Sequence, residues 1–514
     1  MRSLAIIFGD QLDHNSSIFE DFDPKQDQIW MAEAEEEITY IWTHKLKIAF
    51  FLSSMRHFCH YLEKKNYSIN YHQLSYQSNK DKGHSFESIL KQDIARLKPK
   101  KLLMTLPGDY RVLKKIQKVA EEMKLALEIK PDRHFYYNVE DFKEHAASRN
   151  SLLMENFYRE LRKKFSLLMD QSKPEGGDWN YDQENRKTFG KKGPEKIKSP
   201  RGFLPDNITK EVINLVEERF GDHPGTTDYF DLPVTRQQAL DLVKDFIEHR
   251  LENFGNYQDA MWQDEPFLYH SRVSAAMNIK LISPKEVIDK TIEAYHQHNY
   301  PLNSVEGFVR QVLGWREFMR GVYWNEMPEY TDNNFFEANK EVPPFFWDGD
   351  TKMACVKDAM NSVINHGYAH HIQRLMVLGL FAQLYGVHPL KFHEWHMAMY
   401  NDAIDWVSLP NAFGMSQFGD GGVVATKPYT ASANYINKMS NYCKGCHYNH
   451  KKVTENEACP FNALYWDFLN RNVDKLVDNR RMNFQLRNLE KKGDEKIQMI
   501  TKRSKEIKEN IKDI

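Results

Sequence analysis

The sequence has little cysteine, almost no net charge and no long apolar run. Five cysteines stand among 514 residues, and the formal net charge is −2. No stretch approaches the roughly 18 apolar residues that a membrane helix needs. The apolar run at residues 4–8 is too short for the apolar region of a secretion signal. These absences predict a cytoplasmic protein with no membrane partner, in a compartment where thiols stay reduced.

The remaining composition is that of a globular protein. Apolar residues make up 41% of the chain and charged residues 28%, which excludes disorder over the whole length. A chain of this length exceeds one ordinary hydrophobic core, so we expect two domains. We also expect a monomer.

The first 130 residues alternate between strand-like and helix-like stretches. Continuous apolar strands separated by helices are typical of a parallel sheet covered on both faces, as in Rossmann-like α/β domains. Ligands of such sheets bind beyond the carboxyl ends of the strands, which here lie after Phe8, Met31 and Leu106. We therefore predict an α/β ligand-binding domain at residues 1–130.

The rest of the chain divides into two further parts. Residues 131–230 are polar and contain the basic stretch 185–201, with seven Lys or Arg against one Glu, which predicts an interdomain linker with a basic loop. From residue 231 to 514 helical patterns follow one another with little interruption, which predicts a large all-α domain. A second basic stretch, 471–514, has thirteen Lys or Arg against eight Asp or Glu. Such patches bind phosphates or are simply solvated surface, and both interpretations stay open.

Four cysteines form a candidate metal site. Cys443 and Cys446 are spaced as C-x2-C, Cys459 follows thirteen residues later and precedes a proline, and Cys355 begins a predicted helix. In a reducing compartment, clustered cysteines indicate a metal rather than disulfides. Both zinc and an iron–sulfur cluster accept four thiolates. The distant ligand and the Cys-Pro step favour the cluster, and nearby histidines keep zinc open.

Several motifs in the second half resemble one known family. They are "YHSRVSAAMN" (269–278), "VEGFVRQVLGWREFMRGVYW" (305–324), "GYAHHIQRLMVLGLFAQL" (367–384) and "MYNDAIDWVSLPNAFGMSQF" (399–418). Together they resemble the flavin domain of the photolyase/cryptochrome family. With the four cysteines, "FGDQL" (8–12) and "MAEAEEE" (31–37), the chain is similar to the prokaryotic (6-4) photolyase group, the iron–sulfur bacterial cryptochromes and photolyases.

The resemblance implies three cofactors and one substrate. FAD would lie in the helical domain, a [4Fe–4S] cluster on the four cysteines, and a 6,7-dimethyl-8-ribityllumazine antenna in the α/β domain. The reaction would be light-driven repair of pyrimidine (6-4) photoproducts, with UV-damaged DNA as the partner and the nucleoid as the place of action. A blue-light-sensing cryptochrome with the same cofactors and a signalling output is the alternative.

The resemblance also implies a set of flavin-binding residues. The turn "HSRVS" suits a diphosphate, and Arg374 and Asp402 match an ion pair beside the isoalloxazine ring. Ser408 stands near flavin N5, where an acidic residue is expected in this group. The full set is Tyr257, His270, Ser271, Arg272, Val273, Ser274, Glu306, Arg310, Gln311, Trp315, Arg316, Arg374, Asp402 and Ser408.

Catalytic, electron-transfer, antenna and DNA roles complete the implied site. His371 is the expected proton donor to the lesion, since imidazole titrates near working pH, and His370 is expected to support it. The electron-transfer candidates are Trp395, Trp347, Trp406 and Tyr400. The antenna candidates are Asp10, Gln11 and Glu37. The DNA-binding candidates are Trp179, Arg186, Lys187, Lys191, Lys192, Tyr429, Arg480 and Arg481.

Overall fold

The N-terminal part of the molecule is a five-stranded parallel sheet. The computed structural model describes residues 1–149 and 151–514. The strands are β1 (Ser3–Ile6), β2 (Asp27–Ala32), β3 (Ile69–His72), β4 (Lys101–Thr105) and β5 (Ala126–Lys130). They pair in the order β3-β2-β1-β4-β5. The predicted α/β domain with a parallel sheet is confirmed. A short antiparallel pair, β6 (Met169–Asp170) and β7 (Lys173–Pro174), lies outside this sheet.

Helices cover the sheet and build the remainder of the chain. Up to residue 230 they are α1 (Glu35–Thr39), α2 (Lys45–Lys64), α3 (Phe86–Leu97), α4 (Tyr110–Glu122), α5 (Val139–Ala147), α6 (Met154–Phe165) and α7 (Asn207–Arg219). They continue with α8 (Arg236–His249), α9 (Leu251–Tyr257), α10 (Ser274–Asn278), α11 (Pro284–His298), α12 (Leu302–Val309), α13 (Arg316–Glu326), α14 (Phe345–Asp348) and α15 (Ala354–His366). The last are α16 (His371–Gln373), α17 (Leu380–Tyr385), α18 (Pro389–Met399), α19 (Asp405–Leu409), α20 (Ala433–Met439), α21 (Pro460–Arg471), α22 (Val473–Leu476), α23 (Asn483–Glu490) and α24 (Asp494–Glu509). None of them, in the described chain, combines the length and apolarity of a membrane-crossing helix.

Three helices lie inside the segment 131–230. Helix α5 packs against α13, α6 packs against residues 310–315, and α7 packs against α2. Each buries apolar side chains, for example Phe142 in α5 and Phe157 in α6. The segment therefore contributes to the hydrophobic core, and only part of it is an irregular loop.

Three π-helical segments interrupt the helical part. They are Arg310–Trp315 between α12 and α13, Arg374–Gly379 between α16 and α17, and Pro410–Ser416 after α19. A π-helical turn widens the backbone and shifts the side chains that follow it, and such turns occur frequently at functional sites. Two of the three contain residues that the sequence assigns to a flavin site.

The helical pattern around the histidine pair is interrupted between α15 and α16. Helix α15 ends at Gly367, which has a left-handed φ of +56°. The next helix begins at His371, with His370 as its N-cap residue. His371 is therefore at a helix start, where its ring points toward a neighbouring loop rather than into the helical core.

Candidate functional site

Three histidines meet at the start of α16. The rings of His270 and His370 stack with centroids 4.6 Å apart, and His270 Nε2 lies 3.3 Å from His371 Nδ1. His371 Nε2 lies 3.2 Å from Asp259 Oδ1, and the His371 side chain is 49% exposed. Burial lowers the pKa of His270 to about 3 and lowers the pKa of His370 well below its ordinary value. The two buried rings are therefore neutral.

The hydrogen bonds assign a tautomer to His270 and partners to both ring nitrogens of His371. His270 Nδ1 lies 3.1 Å from the carbonyl oxygen of Phe267, so this nitrogen carries the single proton of the neutral ring and donates it. His270 Nε2 is then an acceptor, and an ionised Asp259 can only accept. With this tautomer of His270, both ring nitrogens of His371 face hydrogen-bond acceptors, and the side chain is half exposed.

A buried ion pair lies beside this cluster. Arg374 Nη1 and Nη2 donate to Asp402 over 2.9 and 3.2 Å, and Ser274 Oγ donates to the same carboxylate over 2.7 Å. Burial alone would raise the pKa of Asp402, but the Arg374 charge and these hydrogen bonds hold it below its ordinary value. The structure therefore brings together Arg374, Asp402 and Ser274 of the expected flavin set, with Arg374 contacting the Tyr400 ring at 3.9 Å.

Several buried polar atoms at this place have no partner among the described residues. Both ring nitrogens of His370 and the hydroxyl of Tyr400 are of this kind. A buried polar group without a partner costs free energy unless a ligand or water satisfies it. The lining therefore fits a polar ligand such as a flavin.

Ser408 has a histidine as its partner. His396 Nδ1 lies 3.2 Å from Ser408 Oγ, and both residues are buried. Burial lowers the pKa of His396 well below its ordinary value, so this ring is neutral. The His396 ring also packs on Tyr400 at 4.3 Å, which connects Ser408 to the Arg374–Asp402 pair.

Arg272 makes a different contact from the one expected for a diphosphate ligand. It has a left-handed φ of +60° in the turn before α10, and its guanidinium donates twice to Asp231 over 2.7 Å. A bidentate pair of this kind occupies the donors that a phosphate would use. The side chain therefore fixes the turn. Ser271 directly precedes Arg272, whereas Val273 is the N-cap residue and Ser274 the first residue of α10.

The π-helical segment 310–315 separates residues that we expected to lie together. Arg310 pairs with Glu306 and Asp182 over 3.2 and 3.3 Å, and Gln311 donates to a carbonyl of its own helix. Arg316 lies elsewhere, with its Nη2 3.1 Å from His134 Nε2. Trp315 is half-buried against Phe318.

The aromatic candidates form two separate groups. Trp395 is buried and contacts Tyr400 at 5.6 Å between ring centroids, and its Nε1 donates to the Phe346 carbonyl oxygen. Trp347 follows Phe346 directly in the chain. Trp406 packs instead against Phe135 and Arg316 on the side of the α/β domain. Tyr257 stacks on Phe189 at 4.7 Å, near the histidine cluster.

The four predicted cysteine ligands converge. Cys355 is the second residue of α15, Cys443 lies in a short 3-10 turn (Tyr442–Lys444) that Cys446 follows, and Cys459 is the N-cap residue of α21. Burial raises the pKa of the Cys355 thiol, and the other three cysteines are its nearest charge partners. Burial also raises the pKa of Cys443 to about 12. The fifth cysteine, Cys59, is in α2.

The spacing of the thiols is wider than one zinc ion requires. Among the described residues, no three of these sulfur atoms lie within 4.8 Å of one another. Thiolates on tetrahedral zinc, at about 2.3 Å from the metal, lie about 3.8 Å apart. The donor set therefore fits a centre larger than a single ion.

The carboxyl edge of the sheet contains the antenna candidates. Asp10 accepts from the Gly108 amide at 2.9 Å, and burial raises its pKa. Gln11 donates to the carbonyl oxygens of Thr105 and Leu106, so it ties β1 to the end of β4. Glu37 accepts from Arg111 and Lys115.

This edge also has unsatisfied polar atoms. Arg316 Nε and Nη1 and His134 Nδ1 are buried and have no hydrogen-bond partner among the described residues, although Glu317 Oε1 lies 3.8 Å from Arg316 Nη1. Trp406 connects Arg316 to Asp10. The Arg316 guanidinium lies over the Trp406 ring. The same ring and the Asp10 carboxylate both lie next to Gly108. The edge therefore fits a polar aromatic ligand.

Two DNA-binding candidates, Tyr429 and Arg186, lie near Asp259, the partner of His371. Burial raises the pKa of Tyr429, and Asp182, Arg481 and Arg186 are the charges nearest to its hydroxyl. Arg186 is exposed and donates to Asp182 over 2.6 Å. Lys187, Lys191, Lys192 and Arg480 are exposed as well. Trp179 is half-buried under Arg159, Arg162 and Lys163, so its ring stabilises α6 through cation–π contacts.

Our sequence reasoning missed Asp259 and His396. Asp259 holds His371, and His396 holds Ser408. Neither lies in a motif, and only their contacts in space identify them. A histidine on an apolar helix face, such as His396, is the one signal that could have been followed.

Comparison with known proteins identifies the family to which the chain belongs. The model of the deoxyribodipyrimidine photo-lyase-related protein family matches residues 5–232. A "(6-4) photolyase" of Agrobacterium fabrum is 45% identical over 483 residues, which cover 94% of this chain and 94% of that protein.

Solved structures share the fold at low sequence identity. A bacterial class III photolyase from Agrobacterium tumefaciens superposes with a TM-score of 0.55 and 14% identity, covering 85% of this chain and 86% of that chain. A Synechocystis cryptochrome superposes with a TM-score of 0.52 and 12% identity, covering 85% of this chain and 88% of that chain. Fold and site thus define a protein of the photolyase/cryptochrome class. Within this class, the chain belongs to the prokaryotic (6-4) photolyase family, as the motifs predicted.

Proposed function

We propose that this protein is a light-driven DNA photolyase that repairs pyrimidine (6-4) photoproducts. The observation that carries the proposal is the hydrogen-bond pattern around His371, in which both ring nitrogens of a half-exposed side chain face acceptors. A relative that is 45% identical to this chain, over 94% of its own length, is named for this activity. An acid at the lesion is what the reaction needs, because a base that accepts an electron becomes more basic and takes up a proton.

The residues around His371 have distinct roles in this proposal. Asp259 accepts from Nε2 and stabilises the charged ring, while neutral His270 accepts from Nδ1 and fixes its orientation. His371 then donates a proton to the flipped lesion, and bulk water restores it. His370, stacked on His270, supports the orientation of the pair.

FAD fits the polar lining beside this cluster. When bound and reduced, FAD supplies the electron that light transfers to the lesion. Arg374 places a fixed positive charge beside the ring, and Asp402 and Ser274 hold the guanidinium in position. His396 and Ser408 offer a neutral donor and acceptor pair instead of a carboxylate. The unpartnered atoms of His370 and Tyr400 support the same location.

Replacement of Asp402 tests this lining. Asp402→Asn leaves the Arg374 charge buried without a counter-charge, which costs roughly 3–5 kcal/mol. We expect lower FAD content after purification and a lower midpoint of urea unfolding. Asp289→Asn is the matched control, because the Lys285–Asp289 pair is exposed and contributes at most about 1 kcal/mol. Equal FAD content and stability of the two variants would contradict the proposed role.

We propose a [4Fe–4S] cluster on Cys355, Cys443, Cys446 and Cys459. The convergence of the thiols from α15 and the C-terminal segment, and their wide spacing, support it. Because burial raises the pKa of the Cys355, Cys443 and Cys459 thiols, cluster assembly must release their protons. The centre then joins the segment 441–461 to α15.

We further propose a lumazine antenna at the carboxyl edge of the sheet. Asp10, Glu37 and the unpartnered atoms of Arg316 and His134 would contact it, and Gln11 would shape the pocket by holding β1 and β4 together. Parallel sheets bind ligands at this edge.

UV-damaged DNA is the proposed partner, which would place the protein at the nucleoid when bound. Arg186 and Tyr429 lie near Asp259, Arg481 lies near Tyr429, and all three would contact phosphates. The exposed lysines of the basic loop would add long-range attraction.

Arg481→Ala tests the DNA surface. We expect weaker binding to a duplex with one (6-4) lesion, and a slope of log K against log salt that is smaller by about 1. Fluorescence anisotropy over a potassium chloride series measures both quantities. Arg487→Ala, an exposed arginine of α23, is the control and should leave the slope unchanged. Equal slopes for the two variants would remove Arg481 from the interface.

Illumination of a defined substrate tests the proposed activity itself. Purified flavin-loaded protein is mixed with an oligonucleotide that contains one (6-4) photoproduct, reduced, illuminated, and the products are separated by chromatography. We expect restored thymines only in the light. An unchanged lesion at full flavin reduction would refute repair and favour the light-sensing alternative.

A further inference from the structure

The three clustered histidines at the start of α16 also have the arrangement of a metal site. One donor nitrogen from each of His270, His370 and His371 lies within 4.8 Å of the other two, and no other three His, Cys, Asp or Glu side chains converge in this way in the described part of the chain. The His371 side chain is 49% exposed, so ions can reach the cluster from the solvent. Imidazole nitrogens suit zinc, copper and nickel ions, whereas magnesium and calcium ions prefer oxygen ligands.

Two of the nitrogens already have the separation of ligands on one ion. His270 Nε2 and His371 Nδ1 lie 3.3 Å apart. Two nitrogens on tetrahedral zinc, each roughly 2.0–2.1 Å from the metal, lie about 3.3 Å from one another. A zinc ion can therefore take the place of the hydrogen between these two nitrogens after a small rotation of each ring.

The outer nitrogens of the same two rings have the partners that metal-binding histidines usually have. His270 Nδ1 donates to the Phe267 carbonyl oxygen over 3.1 Å, and His371 Nε2 lies 3.2 Å from Asp259 Oδ1. Metal-binding histidines almost always donate their second N–H to a carbonyl or a carboxylate, which fixes the tautomer and directs the free lone pair at the metal. The two rings are therefore oriented for a cation before one binds.

His370 can complete the set of ligands. Its ring is buried, stacks on His270 with centroids 4.6 Å apart, and has no hydrogen-bond partner for either nitrogen among the described residues. A shift of about 1.5 Å or less brings its donor nitrogen to ligand distance from the other two, and the ring loses no hydrogen bond by this shift. Arg374 is the cation nearest to His370, and Asp402 balances its charge. A water molecule can occupy the fourth position.

We propose that His270, His370 and His371 bind one divalent transition-metal ion such as zinc, and that the bound ion inhibits repair. The site rests on the geometry of the three rings, whereas the inhibition rests on the proposed function. With the metal on Nδ1 and Asp259 on Nε2, the His371 ring is fixed and has no proton to give to a lesion. The hydrogen between His270 and His371 passes to water as the ion binds, and it returns when a chelator removes the ion.

Zinc binding to the flavin- and cluster-loaded full chain tests the site. Calorimetric titration with zinc chloride gives the affinity, and elemental analysis after desalting gives zinc and iron. We expect about one bound zinc per chain with unchanged iron, and near-zero zinc in His371→Ala. Asp259→Asn keeps all three ligands but loses the carboxylate partner, so it should bind zinc roughly 10- to 100-fold more weakly. His298→Ala, which replaces an exposed histidine of α11, is the control and should bind zinc as the unmodified protein does.

Two results would overturn the site. Equal zinc content in His371→Ala and His298→Ala would place the ion elsewhere. Loss of iron in proportion to the zinc taken up would place the ion at the cysteines.

Single-turnover repair with added zinc tests the inhibition. Zinc should slow repair by the unmodified protein and by His298→Ala at least tenfold, and EDTA should restore the rate. Magnesium at the same concentration should not slow repair, because it binds imidazole poorly. Repair at the full rate with zinc bound would overturn the inhibition. The proposed function fails on a different result, the absence of light-dependent repair without zinc, and that result would leave the zinc site intact.

Discussion

His371→Ala is expected to lower the rate of (6-4) lesion repair by about a hundredfold or more. Removal of a positioned general acid typically costs a factor of about 10²–10⁴. In this structure burial lowers the pKa values of His270 and His370, so neither of these two clustered histidines is charged. Neither neighbour can replace it. The measurement is single-turnover repair of a defined lesion, under light, with fully reduced protein.

The variant must retain every earlier step for this result to be informative. FAD content, light-driven flavin reduction and affinity for lesion DNA should change little, since His371 is half exposed and contributes little to the core. His298→Ala, an exposed histidine of α11, should repair at the unmodified rate. Repair by His371→Ala at a rate near that of the unmodified protein would show that water or another group protonates the lesion.

Asp259→Asn removes the carboxylate charge beside His371 but keeps the imidazole ring itself. The amide can still contact Nε2, but it no longer stabilises the imidazolium. We therefore expect a loss of single-turnover repair that is smaller than the loss in His371→Ala. Repair at the unmodified rate would remove Asp259 from the proposed arrangement.

The sheet could be predicted from the sequence because its strands are buried on both sides. Continuous apolar runs, such as the one leading into β4, leave few alternatives to a covered parallel strand. The grouping of the four cysteines could be predicted for a related reason. C-x2-C and Cys-Pro are local signals, and Cys355 was added because the chain has few other cysteines.

Other parts of the site depend on contacts that no local pattern encodes. The left-handed Gly367 breaks a stretch that is helical in its periodicity, and this break places His371 at an opening. Arg272 has the residue type of a phosphate ligand, yet Asp231, from a distant loop, takes up its donors. Segment 131–230 has the polarity of a linker, but its helices bury one face each against elements far along the chain.

Cys355→Ser is expected to remove the inorganic centre and to destabilise the C-terminal half. Serine has the size of cysteine but binds iron poorly, so one of four ligands is lost. Iron and acid-labile sulfide, determined after anaerobic purification, should fall from about four atoms each to near zero. The free energy of binding such a centre contributes to the free energy of folding. Loss of the centre should therefore lower the midpoint of thermal unfolding by about 5 °C or more.

Cys59→Ser distinguishes this effect from the loss of any buried thiol. Cys59 is as buried as Cys355, at 5% and 6% exposure, but it lies in α2 and has no cysteine partner. We expect full iron and sulfide content in this variant, with only a small loss of stability. Stoichiometric zinc without sulfide in the unmodified protein would contradict the cluster, although the spacing of the thiols is wider than one zinc ion allows. Unchanged iron in Cys355→Ser would instead assign the fourth ligand to another residue, and α15 would then be held only by its apolar contacts.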